Sequence, residues 1–210
     1  MCFSATASFV ASGALLLMAG ATYAVARRKD KVLVAVPLLF GIQQFFEGVQ
    51  WLYLDRGSSS LLAGYGFLLF ALIVWPAYVP LFVLKLENKR RWWTWGFAAI
   101  GIAVALYFAV LLLTESLQIR ERYNCVNYAF RFPGQWVVIS FYLTAVFGSL
   151  LTSARRVFRV FGVAIFAMSI FTWLIYERNF LSVWCFFSAA VSALFFLYVQ
   201  RKRSRSPGAA

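Results

Sequence analysis

A single carboxylate lies inside one of the long apolar stretches of this chain. Glu47 falls within Val32 to Leu54, which otherwise has the composition of a membrane-spanning helix. Gln43 lies four residues before it and Gln50 three residues after it, so all three side chains share one helix face. A carboxylate at membrane depth is energetically costly and normally faces a partner, a cavity or a pathway. We therefore predict a cation- or proton-binding site on this face.

The same carboxyl also has a structural interpretation, in which its hydrogen bonds fix the helix bundle. Burial disfavours its charged form unless a cation pairs with it, and the candidate cations, Arg56 and Arg178, both lie at the predicted outer boundary of the membrane. We predict that an outward-facing cavity joins Glu47 to side chains at the same depth, although their hydroxyls can instead bond to carbonyls of their own helices. These candidates are Ser4, Trp173, Ser182 and Cys185.

Two prolines interrupt the third apolar stretch, which contains Trp75-Pro76 and then Pro80. Proline removes a backbone hydrogen bond and kinks a helix. Such interruptions occur beside transporter binding sites, and they are also frequent in ordinary membrane helices. Trp75 is therefore a further candidate for the binding site.

The composition is that of a membrane protein. Of the 210 residues, 63% are hydrophobic and 13% are charged, whereas soluble domains average about 45–50% apolar and about 25% charged residues. No polar stretch is long enough for a second domain. We predict one transmembrane domain over residues 1–200, followed by a disordered basic cytoplasmic tail over residues 201–210.

Seven stretches are long enough to cross a bilayer, which takes about 20 apolar residues each. They are Ser4 to Ala26, Val32 to Leu54, Leu61 to Leu84, Thr94 to Thr114, Gln135 to Ala154, Val157 to Tyr176, and Phe180 to Gln200. The predicted fold is thus an all-α polytopic bundle of seven transmembrane helices. Only Arg155, Arg156 and Arg159 separate the fifth stretch from the sixth, so six spans are the alternative.

The distribution of basic residues predicts the orientation of the chain. Fifteen of the 20 Lys and Arg residues fall in the first, third and fifth connections and in the C-terminal tail. The positive-inside rule then places the N-terminus outside and the tail in the cytoplasm. This pattern accounts for the net charge of +13 without a nucleic-acid partner. The expected partners are the lipid bilayer and a small solute or ion, with the oligomeric state left open.

The sequence contains no histidine, which limits the kinds of catalytic and metal-binding site that it can form. A Ser-His-Asp triad and imidazole metal ligands are excluded, and we expect no metal, no cofactor and no catalytic residue. The cysteines Cys2, Cys125 and Cys185 all lie on the predicted outer side of the bundle. A Cys2–Cys125 disulfide is one reading of this placement, and three unpaired, apolar-packed thiols are the other.

Two segments of related sequence close the second and sixth predicted spans. These are Gln50-Trp51-Leu52-Tyr53-Leu54-Asp55-Arg56 and Thr172-Trp173-Leu174-Ile175-Tyr176-Glu177-Arg178. A duplication with parallel halves, as in SWEET-type sugar carriers, would give such a pair of segments. The aromatic belt at the membrane interface produces similar segments without duplication.

Four blocks of sequence carry a resemblance to a known family. They are Met1-Cys2-Phe3-Ser4-Ala5-Thr6-Ala7-Ser8-Phe9, the stretch from Pro37 through Gln43-Gln44 to Glu47-Gly48, Trp75-Pro76, and Ser182-Val183-Trp184-Cys185-Phe186-Phe187. In these blocks the chain resembles an uncharacterised family of bacterial multi-pass membrane proteins that begin with Met-Cys-Phe-Ser-Ala. The resemblance implies a bacterial inner-membrane location and no particular reaction.

Three functions are compatible with these features. The leading hypothesis is a carrier or channel for a small solute, cation or proton, in which Glu47, Gln43 and Gln50 form the binding site. The second is a metal-free membrane enzyme acting on lipid or quinone, with Glu47 as general acid or base close to Ser4, Ser182 or Cys185. The third is a non-catalytic membrane subunit or sensor. An enzyme is less favoured than a carrier.

Overall fold

The computed structural model describes residues 4–26, 31–87, 91–122, 125–129, 133–176, 179–192 and 196–197. The predicted tail, residues 201–210, lies outside this part of the chain. The first half contains α1 (Ala5–Val25), a 3₁₀ turn (Lys31–Val34), α2 (Ala35–Leu54), α3 (Leu61–Leu68), α4 (Trp75–Leu86) and α5 (Trp92–Thr114). The second half contains β1 (Gln118–Arg122), β2 (Cys125–Ala129), α6 (Gln135–Leu143), α7 (Ser149–Leu151), α8 (Arg156–Tyr176) and α9 (Phe180–Val191).

Within the described residues, the helices coincide with the first six predicted stretches and with the beginning of the seventh. Two of the stretches are each made of two α-helices joined by a π-helical segment, Leu69–Val74 between α3 and α4 and Thr144–Gly148 between α6 and α7. Within the described residues, five helices are long and apolar enough to cross a membrane, and Gln135–Leu151 and Phe180–Val191 are shorter apolar helices. Most of the predicted seventh span beyond residue 192 lies outside the described residues.

The segment between α5 and α6 contains an antiparallel β-hairpin. The hairpin pairs Gln118 with Ala129 and Arg122 with Cys125. Leu117 and Ile119 are buried while Gln118 and Arg120 are exposed, which is the two-residue alternation of a half-buried strand. This alternation is present in the sequence but covers too few residues to stand out among long helices. The fold is therefore a helix bundle with a hairpin at one end.

The hairpin packs onto the end of the bundle where α2 finishes and α3 and α9 begin. Ile119 lies against Gly64 of α3, where an added Cβ would come within 2.2 Å of the Ile119 side chain. The side chain of Asn127 donates a hydrogen bond to Asn179, at the start of α9, over 3.4 Å. At the opposite end, Glu87 accepts hydrogen bonds from Ser153 and from the Ala154 N–H. The two ends of the bundle are thus distinct. One carries the hairpin, and at the other Glu87 joins the segment after α4 to the segment after α7.

The two prolines of the third stretch shape its backbone. Pro76 and Pro80 have no N–H group, so the carbonyls of Leu72 and Pro76 lack their usual helical donors. The chain adapts by a π-helical segment, Leu69–Val74, that runs directly into α4 at Trp75, an arrangement often found near functional sites. The helix continues through the prolines, and Gly101 of α5 packs against the Pro76 carbonyl.

Tyr142 holds this π-helical segment from the neighbouring helix. Its hydroxyl donates a hydrogen bond to the Ala71 carbonyl over 2.8 Å, and the tyrosine is 6% exposed. We expect Tyr142→Phe to lower the free energy of unfolding by about 1 kcal/mol, because a buried carbonyl loses its donor. Unfolding of the purified protein in detergent measures this change. Tyr53→Phe, at a tyrosine that is 44% exposed, is the control; an equal effect of both variants contradicts the prediction.

Candidate functional site

Four polar side chains of α2 are enclosed by the bundle. Gln43, Gln44 and Gln50 are 0% exposed and Glu47 is 1% exposed. Their spacing places them along the side of α2 that faces its neighbours, and α2 packs against α1, α3 and α9. The polar face predicted from the sequence is therefore buried in protein and does not face lipid. We call the side chains of Gln43, Gln44, Glu47 and Gln50, together with Trp75, Ser182 and Cys185, the polar cluster.

Glu47 is held by two uncharged donors. The Ser182 hydroxyl of α9 donates a hydrogen bond to Oε1 of Glu47, and Nε2 of Gln44 donates to Oε2 over 3.3 Å. Arg56 is exposed beyond the end of α2, and Arg178 lies outside the described residues. Within the described residues, no basic side chain forms an ion pair with Glu47. The carboxyl is thus oriented by neutral groups on both of its oxygens.

Gln43 forms the second half of the polar cluster. Nε1 of Trp75 donates a hydrogen bond to Oε1 of Gln43 over 2.7 Å, and the Trp75 ring stacks on Phe40 with ring centroids 3.9 Å apart. The thiol of Cys185, a free and buried cysteine, lies beside the Gln43 amide and is also an electrostatic neighbour of Glu47. The second, fourth and ninth helices therefore meet at this point.

Several polar atoms of this region are buried without a hydrogen-bond partner in the described structure. They are Nε2 of Gln43, Oε1 of Gln44, both amide atoms of Gln50 and the hydroxyl of Tyr128. Buried polar groups normally have hydrogen-bond partners, so these atoms have the capacity to bond to water or to a bound molecule. In α2, the side chains with unpaired atoms lie both before Glu47, at Gln43 and Gln44, and after it, at Gln50.

Tyr128 of the hairpin lies over the polar cluster. Its ring stacks on Phe67 at a centroid distance of 4.7 Å. Burial, and to a lesser extent the neighbouring Glu47 carboxyl and Cys185 thiol, raise the pKa of the Tyr128 phenol well above its usual value. The phenol is therefore neutral at ordinary pH and can donate a hydrogen bond without carrying charge. Tyr128 thus brings a hydroxyl of the hairpin into the electrostatic surroundings of Glu47 and Cys185.

The structure brings together most of the residues predicted for the site. Glu47, Gln43, Trp75, Ser182 and Cys185 all belong to the polar cluster. Gln50 is buried on the same helix but has no hydrogen bond to Glu47 in the described structure.

Two predicted site residues lie elsewhere. Ser4 is exposed and caps the start of α1, where its hydroxyl accepts a hydrogen bond from the Ala7 N–H over 3.2 Å. Trp173 is 42% exposed, and its ring contacts those of Trp136 and Phe180. Trp51, its counterpart in the proposed repeat, is 3% exposed. The two tryptophans therefore occupy different environments, and the duplication stays a prediction.

Sequence reasoning missed two neighbours of Glu47. Gln44 lies three residues before Glu47, a spacing that places side chains in contact on a helix, so it could have been named beside Gln43. Tyr128 is 81 positions away from Glu47 in the sequence, and no local pattern links the two. Only the docking of the hairpin brings this phenol to the polar cluster.

A pocket formed by the described residues lies beside the polar cluster and not at Glu47. It has a volume of about 540 Å³ including its opening, and Trp75 and Cys185 contribute to its wall. Glu47, Gln50 and Ser182 do not line it. The remaining wall comes mainly from residues towards the end of the bundle opposite the hairpin, such as Val36, Phe82 and Leu150. The predicted outward-facing cavity around Glu47 is thus replaced by an enclosed carboxyl next to an apolar pocket.

The structure gives the bonding state of two of the three cysteines. Cys125 of β2 is disulfide-bonded and fully buried, whereas Cys185 is a free thiol. Cys2, the predicted partner of Cys125, lies outside the described residues. Cys125 packs beside Val183 of α9, so its covalent link lies where the hairpin meets the bundle.

Loosening the hairpin is expected to expose Glu47. Val126 is 1% exposed on β2, and Val126→Ala removes about 1–2 kcal/mol of packing. A loss of that size raises the population of molecules in which the hairpin has detached from the bundle roughly 5–30-fold. Labelling of Glu47 by a water-soluble carbodiimide, followed by mass spectrometry, should accelerate accordingly. Glu121→Ala, at the exposed cross-strand partner of Val126, should leave the rate unchanged; equal rates in all three proteins contradict this role of the hairpin.

Comparison with known proteins agrees with the resemblance seen in the sequence. A search of curated proteins and a search of solved structures each found no match to the chain. The match to a family model extends over the full length, from the first residue to the last. The prediction of an uncharacterised family is thereby confirmed, and the chain belongs to a family of unknown function (DUF6629), whose model matches residues 1–210.

Proposed function

We propose that the protein is an integral membrane carrier in which Glu47 takes up and releases a proton. The observation that carries this proposal is the setting of the Glu47 carboxyl, which is buried in the bundle and bonded only to neutral donors. A buried carboxylate with no paired cation is costly. Binding a proton removes that charge, so the site is suited to a carboxyl that changes its protonation state during a transport cycle.

The hydrogen bonds favour a proton over a metal cation. Both oxygens of Glu47 accept hydrogen bonds, one from the Ser182 hydroxyl and one from the Gln44 amide. A hard cation would require oxygen atoms directed at it from several sides, and donor groups occupy these positions instead. Within the described residues, no group of three or more His, Cys, Asp or Glu side chains could hold a metal ion.

The surroundings of Glu47 supply groups for proton movement on two sides. On the hairpin side, the Tyr128 phenol is buried and unpaired in the described structure. On the other side, Gln43, Trp75 and Cys185 connect the polar cluster to the pocket. We infer that Glu47 exchanges protons with one face of the membrane when the hairpin opens, and with the other face when the pocket wall opens. The two openings alternate.

Location and orientation belong to the same proposal. Lys31, Lys85, Arg91 and Arg155 all lie at the ends of helices or in connections opposite the hairpin end. Under the positive-inside rule this arrangement supports an outer position for the hairpin. We expect the protein in the cell membrane, with the bacterial inner membrane as its compartment, the N-terminus outside and the tail in the cytoplasm.

Proton flux into vesicles tests the proposal. The purified protein is reconstituted into liposomes that contain a pH-sensitive dye, and a pH gradient is imposed with valinomycin and potassium to clamp the membrane potential. Protein-containing vesicles should acidify faster than protein-free vesicles, with the same rate when choline replaces sodium. Equal rates with and without protein overturn the proposal, and a strict requirement for sodium overturns the choice of a proton.

The bond between Ser182 and Glu47 supports a second candidate, a membrane enzyme with Ser182 as nucleophile and Glu47 as its base. Ser182 is 1% exposed and does not line the pocket, so a substrate has no described route to its hydroxyl. Labelling by a lipophilic fluorophosphonate separates the two candidates. Labelling of the wild type that is lost in Ser182→Ala, in a protein that gives no proton flux in vesicles, would favour the enzyme.

A further inference from the structure

Three arginines surround the start of α8, at the end of the bundle opposite the hairpin. Arg155 directly precedes the helix, and Arg156 and Arg159 lie in its first turn. Nη1 of Arg159 donates a hydrogen bond to the Ser153 carbonyl over 2.8 Å, so this arginine fixes the preceding turn. The guanidinium of the half-buried Arg155 lies 6.0 Å from the centre of the Phe158 ring, and Arg156 is exposed. Two guanidinium groups are thus presented side by side at the surface.

The positive charge of these arginines is only partly balanced by the protein. Among the described residues at this end of the bundle, Glu87 is the acidic one, and it accepts hydrogen bonds from Ser153 and from the Ala154 N–H. Within the part of the chain that the structure describes, neither Arg155 nor Arg156 forms an ion pair. The first turn of α8 also contains no acidic residue, although acidic side chains are the favourable ones there. A bound anion would therefore relieve repulsion between these groups.

An exposed apolar stripe continues from the arginines along α8. Arg159, Val160 and Val163 follow Arg156 by three, four and seven positions, so all four side chains project from one side of the helix. Val160 is 51% exposed and Val163 is 57% exposed. Trp92, which begins α5 at the same end of the bundle, is 81% exposed, and exposed tryptophans of membrane helices lie at the level of the lipid head groups. This side of α8 thus presents charge at head-group level and apolar side chains beyond it.

We propose that the start of α8 binds an anionic phospholipid, with its phosphate at Arg155 and Arg156 and an acyl chain along Val160 and Val163. Guanidinium groups suit this phosphate, because each can form two parallel hydrogen bonds with its oxygens. A soluble phosphate would use the arginines alone, whereas the exposed valines directly beyond them favour a lipid. The site goes beyond the carrier proposal and does not depend on proton movement at Glu47.

Native mass spectrometry of the full-length protein in detergent, titrated with dioleoylphosphatidylglycerol or dioleoylphosphatidylcholine, tests this site. The two lipids have the same acyl chains and differ in head-group charge, so the wild type should bind phosphatidylglycerol several-fold more tightly. Arg155→Gln and Arg156→Gln should each weaken phosphatidylglycerol binding about fivefold, the contribution of one basic residue near anionic lipid. Neither change should alter phosphatidylcholine binding. A large molar excess of inorganic phosphate should leave phosphatidylglycerol bound.

Two further variants separate this site from general attraction between basic residues and anionic lipid. Arg56 is exposed at the hairpin end of the bundle, so Arg56→Gln should bind phosphatidylglycerol as the wild type does. Replacing the basic residues of 201–205 with glutamine should also preserve the preference for phosphatidylglycerol.

Four results would overturn the proposal. They are equal binding of the two lipids by the wild type, equal phosphatidylglycerol binding by the Arg155, Arg156 and Arg56 variants, loss of the preference in the variant of residues 201–205, and displacement of the lipid by inorganic phosphate. Glu47→Gln should bind phosphatidylglycerol normally, so failure of the carrier proposal leaves this result intact.

Discussion

Replacing Glu47 with glutamine is expected to abolish proton flux while changing the free energy of unfolding by no more than about 1 kcal/mol. Glutamine has nearly the same shape, and its amide oxygen can accept the hydrogen bond that Ser182 now donates to Glu47. Gln44 can turn its amide to present Oε1, which has no partner in the described structure. The hydrogen bonds survive, but the side chain can no longer gain or lose a proton.

Two measurements decide between the functional and structural roles of this carboxyl. Flux in dye-loaded vesicles and unfolding in detergent are compared for the wild type, Glu47→Gln and Glu121→Gln. Glu121 is an exposed acid on β1, so its variant should match the wild type in both measurements. Undiminished flux in Glu47→Gln would end the carrier proposal. Loss of several kcal/mol of stability would show that Glu47 mainly fixes the bundle.

Replacing Gly101 with alanine is expected to lower the free energy of unfolding by about 3 kcal/mol, the upper end of the usual cost of overpacking. An added Cβ would lie 2.0 Å from the Pro76 carbonyl oxygen and 2.8 Å from Cγ of Pro80. Both neighbours are rigid, because one is backbone and the other is a proline ring. The α4–α5 contact must therefore open to accept the methyl group.

Gly96 provides the matched control on the same helix. An added Cβ at Gly96 would meet no atom within 4 Å, so Gly96→Ala should be neutral or stabilise α5 by up to about 1 kcal/mol through helix propensity. Thermal unfolding of the two variants in the same detergent makes the comparison. Similar melting temperatures for Gly101→Ala and Gly96→Ala would show that the two helices separate easily at this point.

Hydrophobicity and helix periodicity by themselves determined most of the fold. A spanning helix needs a long run of apolar residues, because its backbone is satisfied internally and its side chains face lipid or other helices. The starts of α3, α6 and α9 at Leu61, Gln135 and Phe180 coincide with the predicted starts. The π-helical segment before Trp75 was not predicted, since Pro76 and Pro80 are compatible with a kink as well as with a π turn.

The sequence also determined that Glu47 is the exceptional residue, because a carboxyl in an apolar stretch is costly wherever the helix lies. Helix spacing accounts for the hydrogen bond from Gln44, but the other groups around that carboxyl were decided by the tertiary structure. Ser182 lies 135 positions away from it, and the phenol of Tyr128 reaches the polar cluster on a hairpin. Likewise, Trp75 joins the polar cluster through Gln43, whereas Ser4 and Trp173 lie outside it. Helix spacing defines neighbours only along one helix, while contacts between helices depend on how side chains of all the helices pack together.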